Sequence, residues 1–344
     1  MNVNDDYSGK TIGKYHLIEK LGKGHFGAVY SAIDFVLNST KAIKIMNVTN
    51  PSQAFKLFEE AAIPHKCAHN NIVRINGGSL ESFENEVHFV IDMELVDGGS
   101  LEDLMRSRQI SVLDTLEIIK SALFGLQHSH NQGIVHRDIK PANILISNGI
   151  PKLSDFGLAS TLNEVLPNDA LWYYTHSAPE FKTTLTPTIE TDIYALGVTM
   201  YRAVNCIINW RTYLKSIKSI DRLIDNGTFI EKVQFEPFVP KKVIRIIKKA
   251  CKPDPANRYH SAAEMRNAIE KLLPQTNWLT QDNCVWTGTT ERQIQTAHII
   301  NLRRGFEVQV KINGRRNNSY CKRFALLEEA EEYLYDYIST TTVK

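Results

Sequence analysis

Apolar and polar residues alternate over positions 15–21, which predicts a strand, and β-branched and aromatic residues follow through Val29, Tyr30 and Ala32 in a second. A third strand is predicted over 41–46, where Lys44 stands among Ala42, Ile43 and Ile45, and another over 87–96. Between these two, Asn50 suits a helix N-cap and Pro51 the first helical position. Phe55, Phe58 and Ala62 then recur at helical spacing, and Pro64 ends or kinks that helix. Apolar residues at 112, 116, 119, 123 and 126 predict one long buried helix over 112–132. A short strand pair is predicted at 143–146 and 152–154. The basic residues of 241–252 interleave with Val243, Ile246, Ile247 and Ala250, the pattern of an amphipathic surface helix.

The pattern changes after residue 273. Residues 274–284 are polar and read as a linker. Strands are predicted over 295–302, 306–312 and 319–324, with turns at Arg304-Gly305 and Asn313-Gly314, followed by a helix over 326–338. This is a small βββα module over 285–344, a size that folds alone only marginally. Its charges are polarised, with Arg292, Arg303, Arg304, Lys311, Arg315, Arg316, Lys322 and Arg323 on the strand region and Glu328, Glu329, Glu331, Glu332 and Asp336 on the helix.

Composition narrows this α+β picture only a little. A chain of 344 residues suits two or three cores, and its net charge of +2 does not mark the whole chain as a nucleic-acid binder. The five cysteines are scattered, with no Cys-x-x-Cys pair. That disfavours a disulfide framework or zinc site and fits a reducing compartment, here expected to be the cytoplasm. The N-terminus lacks an apolar signal core, and no apolar run reaches the ~18 residues of a membrane span, so no membrane partner is expected.

The chemistry concentrates in His136-Arg137-Asp138-Ile139-Lys140-Pro141-Ala142-Asn143. Phosphoryl transfer to an alcohol needs a carboxylate to take the hydroxyl proton, a cation for the migrating group and an oxygen ligand for a metal. Asp138, Lys140 and Asn143 offer these within one loop. Asp155, at a predicted strand end in Asp155-Phe156-Gly157, can turn its carboxylate to a hard cation beside Asn143. An Asx-turn would explain Asp155 alone but not the spacing of all four residues. Upstream, the run Leu21, Gly22, Lys23, Gly24, His25, Phe26, Gly27, Ala28, Val29 sits between two predicted strands, where its glycines let backbone N–H groups approach phosphates. A Gly-x-Gly-x-x-Gly run leading into a helix marks a dinucleotide fold; here a strand follows it.

These runs together resemble the eukaryotic-type (Hanks-type) serine/threonine protein kinases. The resemblance implies a bilobal fold over 15–273, with an antiparallel sheet plus one helix in the N-lobe (about 15–96) and a mainly helical C-lobe (about 97–273). It implies ATP and Mg²⁺ as cofactors, Asp138 and Lys140 as catalytic residues, and Asn143 and Asp155 as metal ligands. It also implies an ATP site formed by the 21–29 run, Lys44 with Glu60 as its ion-pair partner, and the backbones of Glu94 and Val96. Glu60 is chosen over Glu59 by counting back nine residues from His69. Asp192 is expected to hold the catalytic-loop backbone and Arg258 to pair with Glu180 of Ala178-Pro179-Glu180. The chain departs from the family pattern before that motif. His176 stands where a Tyr is usual and Tyr173 where a Thr is usual, which leaves Thr175 as a substitute support for the loop. Asp169 is expected to supply a fixed negative charge for Arg137. A protein substrate is implied, with autophosphorylation, and Lys-Pro after the catalytic Asp favours Ser/Thr over Tyr. Two alternatives stay open: a kinase-fold scaffold, and a kinase recruited to nucleic acid by its basic C-terminal module.

Overall fold

The computed structural model describes residues 6–24, 27–48, 67–156, 159–162, 164–166, 174–280 and 285–344. Glu60 and its predicted helix, His25, Phe26, Gly157, Asp169 and Tyr173 lie outside them.

The N-lobe is one antiparallel sheet of β1 (Thr11–Ile12), β2 (Tyr15–Gly24), β3 (Gly27–Asp34), β4 (Ser39–Val48), β5 (Ile75–Phe83) and β6 (Glu86–Met93). Their order is β1-β2-β3-β4-β6-β5. The two-residue period of a strand sorts β4 onto two faces. Ile43 and Ile45 join Leu17, Tyr30 and Val90 in one apolar cluster. Lys44 and Met46 face the other way, opposite Ile91 and Phe89 of β6. The sheet therefore delivers Lys44 to the side that looks toward the second lobe.

The C-lobe contains α1 (Leu101–Ser107), α2 (Val112–Asn131), the hairpin β8 (Ile144–Ser147) and β9 (Ile150–Leu153), and the pair β7 (Ile134–Val135) and β10 (Ser160–Thr161). Then come α3 (Phe181–Thr184), α4 (Ile189–Val204), α5 (Trp210–Ser216), α6 (Ile220–Asp225), α7 (Phe229–Lys232), α8 (Lys241–Ala250) and α9 (Ala262–Glu270). A capping box between Ser100 and Asp103 starts α1, and the Ser111 hydroxyl caps α2 by accepting from the Asp114 N–H. Every residue of α4 from Thr191 to Val204 is buried, so this helix is the axis of the lobe. In α2, Gly125 lets the helix approach the Asn71 carbonyl and Leu153 of β9, where a Cβ would come within 2.6 Å of that carbonyl oxygen. Packing there fixes the β8–β9 hairpin, which Asn143 precedes and Asp155 follows. Helix α8 buries Val243, Ile246, Ile247 and Ala250 beneath its basic face, as its spacing predicts.

The C-terminal region differs from the predicted linker and three strands. It is a six-stranded antiparallel sheet of β11 (Asn277–Thr280), β12 (Val285–Thr289), β13 (Ile294–Asn301), β14 (Phe306–Ile312), β15 (Arg315–Arg316) and β16 (Lys322–Phe324), backed by α10 (Leu327–Thr342). The supposed linker thus contributes β11. Its Trp278 and Thr280 are buried while Asn277 and Leu279 are partly exposed, and in β12 Trp286 and Gly288 are buried between exposed neighbours. This alternation rests on Trp, Thr and Gly, so apolar counting alone passes over it. Nor is the sheet a separate module. Trp286 packs on Phe238 of the C-lobe with ring centroids 5.0 Å apart, the Thr280 N–H donates to Gln109 Oε1 at 2.8 Å, and Lys344 exchanges backbone bonds with Leu273 at 2.9 and 3.0 Å. One continuous apolar cluster runs through both.

No helix among the described residues is long and apolar enough to cross a membrane. Of the described cysteines, Cys206, Cys251 and Cys321 are free thiols, and no group of three or more His, Cys, Asp or Glu among the described residues is arranged to hold a metal ion.

Candidate active site

The site begins with Asp192, which sits 1% exposed near the start of α4. Its carboxylate accepts the backbone N–H groups of His136 (2.8 Å) and Arg137 (2.9 Å) and meets the His130 ring at 2.9 Å. A buried carboxylate is tolerated only with such partners, and each donor it holds here is one the loop could not satisfy by itself. Arg137 adopts φ +70°, a left-handed conformation unusual for a residue with a side chain, and this turns the chain sharply into Asp138. His136 closes the other side of the loop. Its ring bonds the Ser154 carbonyl at 3.0 Å and lies 4.4 Å from the Phe156 ring centroid.

Asp138, Lys140 and Asn143 converge on one point. Lys140 Nζ donates to both Asp138 carboxylate oxygens, at 2.9 and 2.7 Å. Asn143 Nδ2 donates to Asp138 Oδ2 and to the Asp138 carbonyl, each at 2.8 Å. Each carboxylate oxygen can accept two hydrogen bonds, so Oδ1, with one bond from this set, keeps capacity to accept a hydroxyl proton. Because Asn143 uses its nitrogen toward Asp138, its side-chain oxygen remains a hard ligand for a cation.

The second half of the site comes from across the cleft. Lys44 Nζ meets Asp155 Oδ1 at 2.5 Å. Asp155 holds φ +58° at the point where β9 gives way to the Phe156 turn, so its carboxylate is aimed out of the hairpin. Partial burial opposes ionisation of Asp155 most strongly. Lys44, His136 and Lys140 together outweigh it and hold the carboxylate below its ordinary range. Two carboxylates, a side-chain amide oxygen and two ammonium groups thus line one cleft. Their oxygens suit a hard divalent cation bound to phosphates.

The glycine run forms the turn between β2 and β3, with Gly24 opposite Gly27. A side chain at Gly27 would collide with the Ile45 carbonyl. Leu21, Gly22 and Lys23 are exposed, Ala28 is buried and Val29 lies between. On the opposite edge, the Glu94 N–H donates to the Arg74 carbonyl at 3.0 Å, and its carboxylate takes the Arg74 N–H (2.8 Å) and Lys152 (2.7 Å). Of the Glu94 backbone groups, it is therefore the carbonyl that can face a ligand. Val96 follows it outside β6.

Two scaffold expectations hold. Arg258, with its side chain fully buried, grips both Glu180 oxygens at 2.6 and 2.7 Å, and Asp192 holds the loop backbone. Thr175 behaves otherwise. Among the described residues its hydroxyl accepts from Trp210 Nε1 at 3.0 Å and meets His176 Nδ1 at 3.1 Å, and it bonds no group of the catalytic loop. His176 is 2% exposed. Burial first, then the charges of Arg202 and Lys140, push its pKa well below the ordinary value. The Thr175–His176–Trp210 contact was not foreseeable from sequence, because its members lie 35 residues apart and carry no spacing signal.

Residues 15–269 match the family model described as "Protein kinase domain". The chain is 31% identical over 271 residues to "Serine/threonine-protein kinase PrkC" of Bacillus subtilis, a match covering 76% of this chain and 41% of that protein. It is 29% identical over 275 residues to "Probable serine/threonine-protein kinase PknB" of Lactococcus lactis, covering 74% and 41%. A fungal relative, "Serine/threonine-protein kinase pakA" of Talaromyces marneffei, is 30% identical over 229 residues, covering 64% and 34%. The chain thus spans well under half the length of these curated relatives.

Proposed function

This chain belongs to the protein kinase family, and on that premise we propose that it transfers the γ-phosphoryl group of ATP to serine or threonine hydroxyls of protein substrates, itself included. The observation that carries the reading is the convergence of Lys140 and Asn143 on Asp138 in a loop held by Asp192. Asp138 orients the attacking hydroxyl and takes its proton at Oδ1. Lys140, already at the carboxylate, balances the negative charge that gathers on the transferring group. Lys44 binds the α- and β-phosphates, exchanging its contact with Asp155 for them, and Glu60 is assigned as its further partner. The 21–29 turn covers the phosphates with its backbone, and the Glu94 carbonyl and Val96 N–H take the adenine edge. Asn143, through its oxygen, and Asp155 would hold Mg²⁺. Bound with ATP, that ion supplies positive charge that neutralises and aligns the phosphates.

We assign 15–273 to the catalytic unit and 274–344 to an accessory unit built onto it. The accessory sheet suits protein docking better than nucleic acid, because Glu307 already takes Arg316 at 2.9 Å and Arg323 at 3.2 Å. Strongly salt-dependent binding of duplex DNA by the full chain would reverse that assignment. The free thiols of Cys206, Cys251 and Cys321 suit the cytoplasm.

The test is incubation of wild type and Asp138→Ala with ATP and mixed protein substrates, with phosphosites read by mass spectrometry. Asp138-dependent phosphate on Ser or Thr is expected. Its absence from every Ser and Thr would overturn the reading.

A further inference from the structure

A cavity of about 530 Å³ opens on the C-lobe where α1 and α5 approach Thr175. Its lining includes the buried Trp210 and Leu214 and the exposed Ile208, and its charged lining among the described residues is Arg106, Arg211 and Glu102. Glu102 serves two guanidinium groups, Arg106 at 3.0 Å and the buried Arg202 at 3.6 Å. Arg202 also lies over the Trp210 ring, 4.9 Å from its centroid. Two guanidinium groups thus hold one carboxylate, and the described lining, with Arg106 and Arg211 against Glu102, is net positive.

Its position relates it to the chemistry. Helix α1, which bears Glu102 and Arg106, packs on the Pro141–Asn143 turn of the catalytic loop. Thr175 on its rim precedes His176, whose ring lies 5.6 Å from that of Trp210. His176 in turn shares a small second cavity with Arg137 and Asp192. The positive cavity is therefore linked through Thr175 and His176 to Arg137 and Asp192 beside Asp138. Its volume lies within the range of clefts that hold a ligand, and two or three residues of extended peptide would fill it.

Taking the protein-kinase reading as its basis, we infer that this cavity receives an acidic segment of the substrate beside the phosphorylated hydroxyl, and that Arg106 and Arg211 determine that specificity. An Asp or Glu entering it gains charge-assisted bonds from Arg211 and Arg106, with its backbone against Trp210. A Lys or Arg there meets like charge. Among the described residues no hydrogen bond or ion pair joins either arginine to the catalytic loop, so exchanging them should move substrate choice and leave ATP turnover without peptide unchanged.

The experiment uses the full chain and three sets of serine peptides, flanked by acidic, neutral or basic residues. Wild type should favour the acidic set over the basic one by at least about 10-fold in kcat/KM, and the preference should shrink as salt is raised. Arg211→Glu and Arg106→Gln/Arg211→Gln should remove the preference, whereas Arg211→Lys should keep most of it. Thermal melting of each variant reports whether it is folded, and Arg211→Lys is the fallback comparison if the double variant is not. Peptide phosphorylation with no charge preference, or a preference that survives in Arg211→Glu, would overturn this inference and leave the kinase reading intact. Absence of Asp138-dependent transfer to every peptide would overturn both.

Discussion

The catalytic loop and the C-terminal sheet are held in place by opposite means. Around Asp138 the contacts are polar and close: Asp192 gathers two loop N–H groups, and Lys140 and Asn143 each reach the same carboxylate within 3 Å. The sheet of residues 277–324 is attached by apolar area, with Trp286 against Phe238, and by backbone pairing at Leu273 and Lys344. A polar network of the first kind specifies atom positions, because an unmet buried donor costs about 1–3 kcal/mol. An apolar seam specifies adhesion, and tolerates exchange of residues of similar volume at less than about 1.5 kcal/mol. The loop should therefore respond to changes of chemistry with little change of volume, and the seam to changes of volume.

Asp138→Asn is the sharpest test of the first half. It keeps the size of the side chain and can still meet Asn143, but it can neither take a proton nor balance Lys140. Turnover should fall by about 10²–10⁴-fold, while the melting temperature stays near that of wild type. Unchanged turnover in a steady-state phosphorylation assay would place the proton acceptor elsewhere. Trp286→Ala tests the second half. Trp286 is 1% exposed, and its truncation should cost about 3–5 kcal/mol in denaturant unfolding. Because the apolar cluster is continuous with the C-lobe, that loss should shift the main unfolding transition. A separate early transition, with the main one unmoved, would mean the sheet is an independent module after all.

The same contrast explains which parts could be read from sequence. Asp138, Lys140, Asn143 and Asp155 fall within eighteen residues, and their types state their chemistry, so the spacing itself is informative. The Asp192 and Arg258 contacts were reached through resemblance, since nothing local at either residue names its partner. Lys44 needed a counter-charge by burial alone, but that Asp155 takes it at 2.5 Å depends on how two lobes close. Strands β11 and β12 escaped because their burial pattern is carried by Trp, Thr and Gly instead of an aliphatic repeat. The seam was invisible for a similar reason: Trp286 and Phe238 are ordinary core residues until the fold sets them together.

Thr175 and His176 lie between the two regimes, polar side chains placed by packing. Thr175→Val removes the acceptor of the indole N–H of Trp210, a residue 6% exposed. A loss of about 1–3 kcal/mol is expected, with kinase turnover reduced less than by Asp138→Asn. Equal losses would mean that Thr175 supports the loop directly.

His176 gives the smallest effect and the one with a definite sign. Burial, reinforced by Arg202 and Lys140, keeps its ring neutral in the folded chain to well below the ordinary pKa of 6.5. The unfolded chain binds a proton there as pH falls through about 6.5, and the folded chain does not, so the unfolded state gains as the solution is acidified. From pH 6.5 to 5.5 this one group should remove about 1 kcal/mol of stability. His69 and His88 are shifted downward as well, chiefly by burial, and add slope of the same sign. The share of His176 is therefore read by difference. His176→Phe should flatten the stability-versus-pH curve by about that amount below pH 6.5 and leave it parallel to wild type above pH 7. If the variant and wild-type curves stay parallel throughout, the ring takes up its proton in the folded state, and the layer between the catalytic loop and the cavity is wetter than its packing implies.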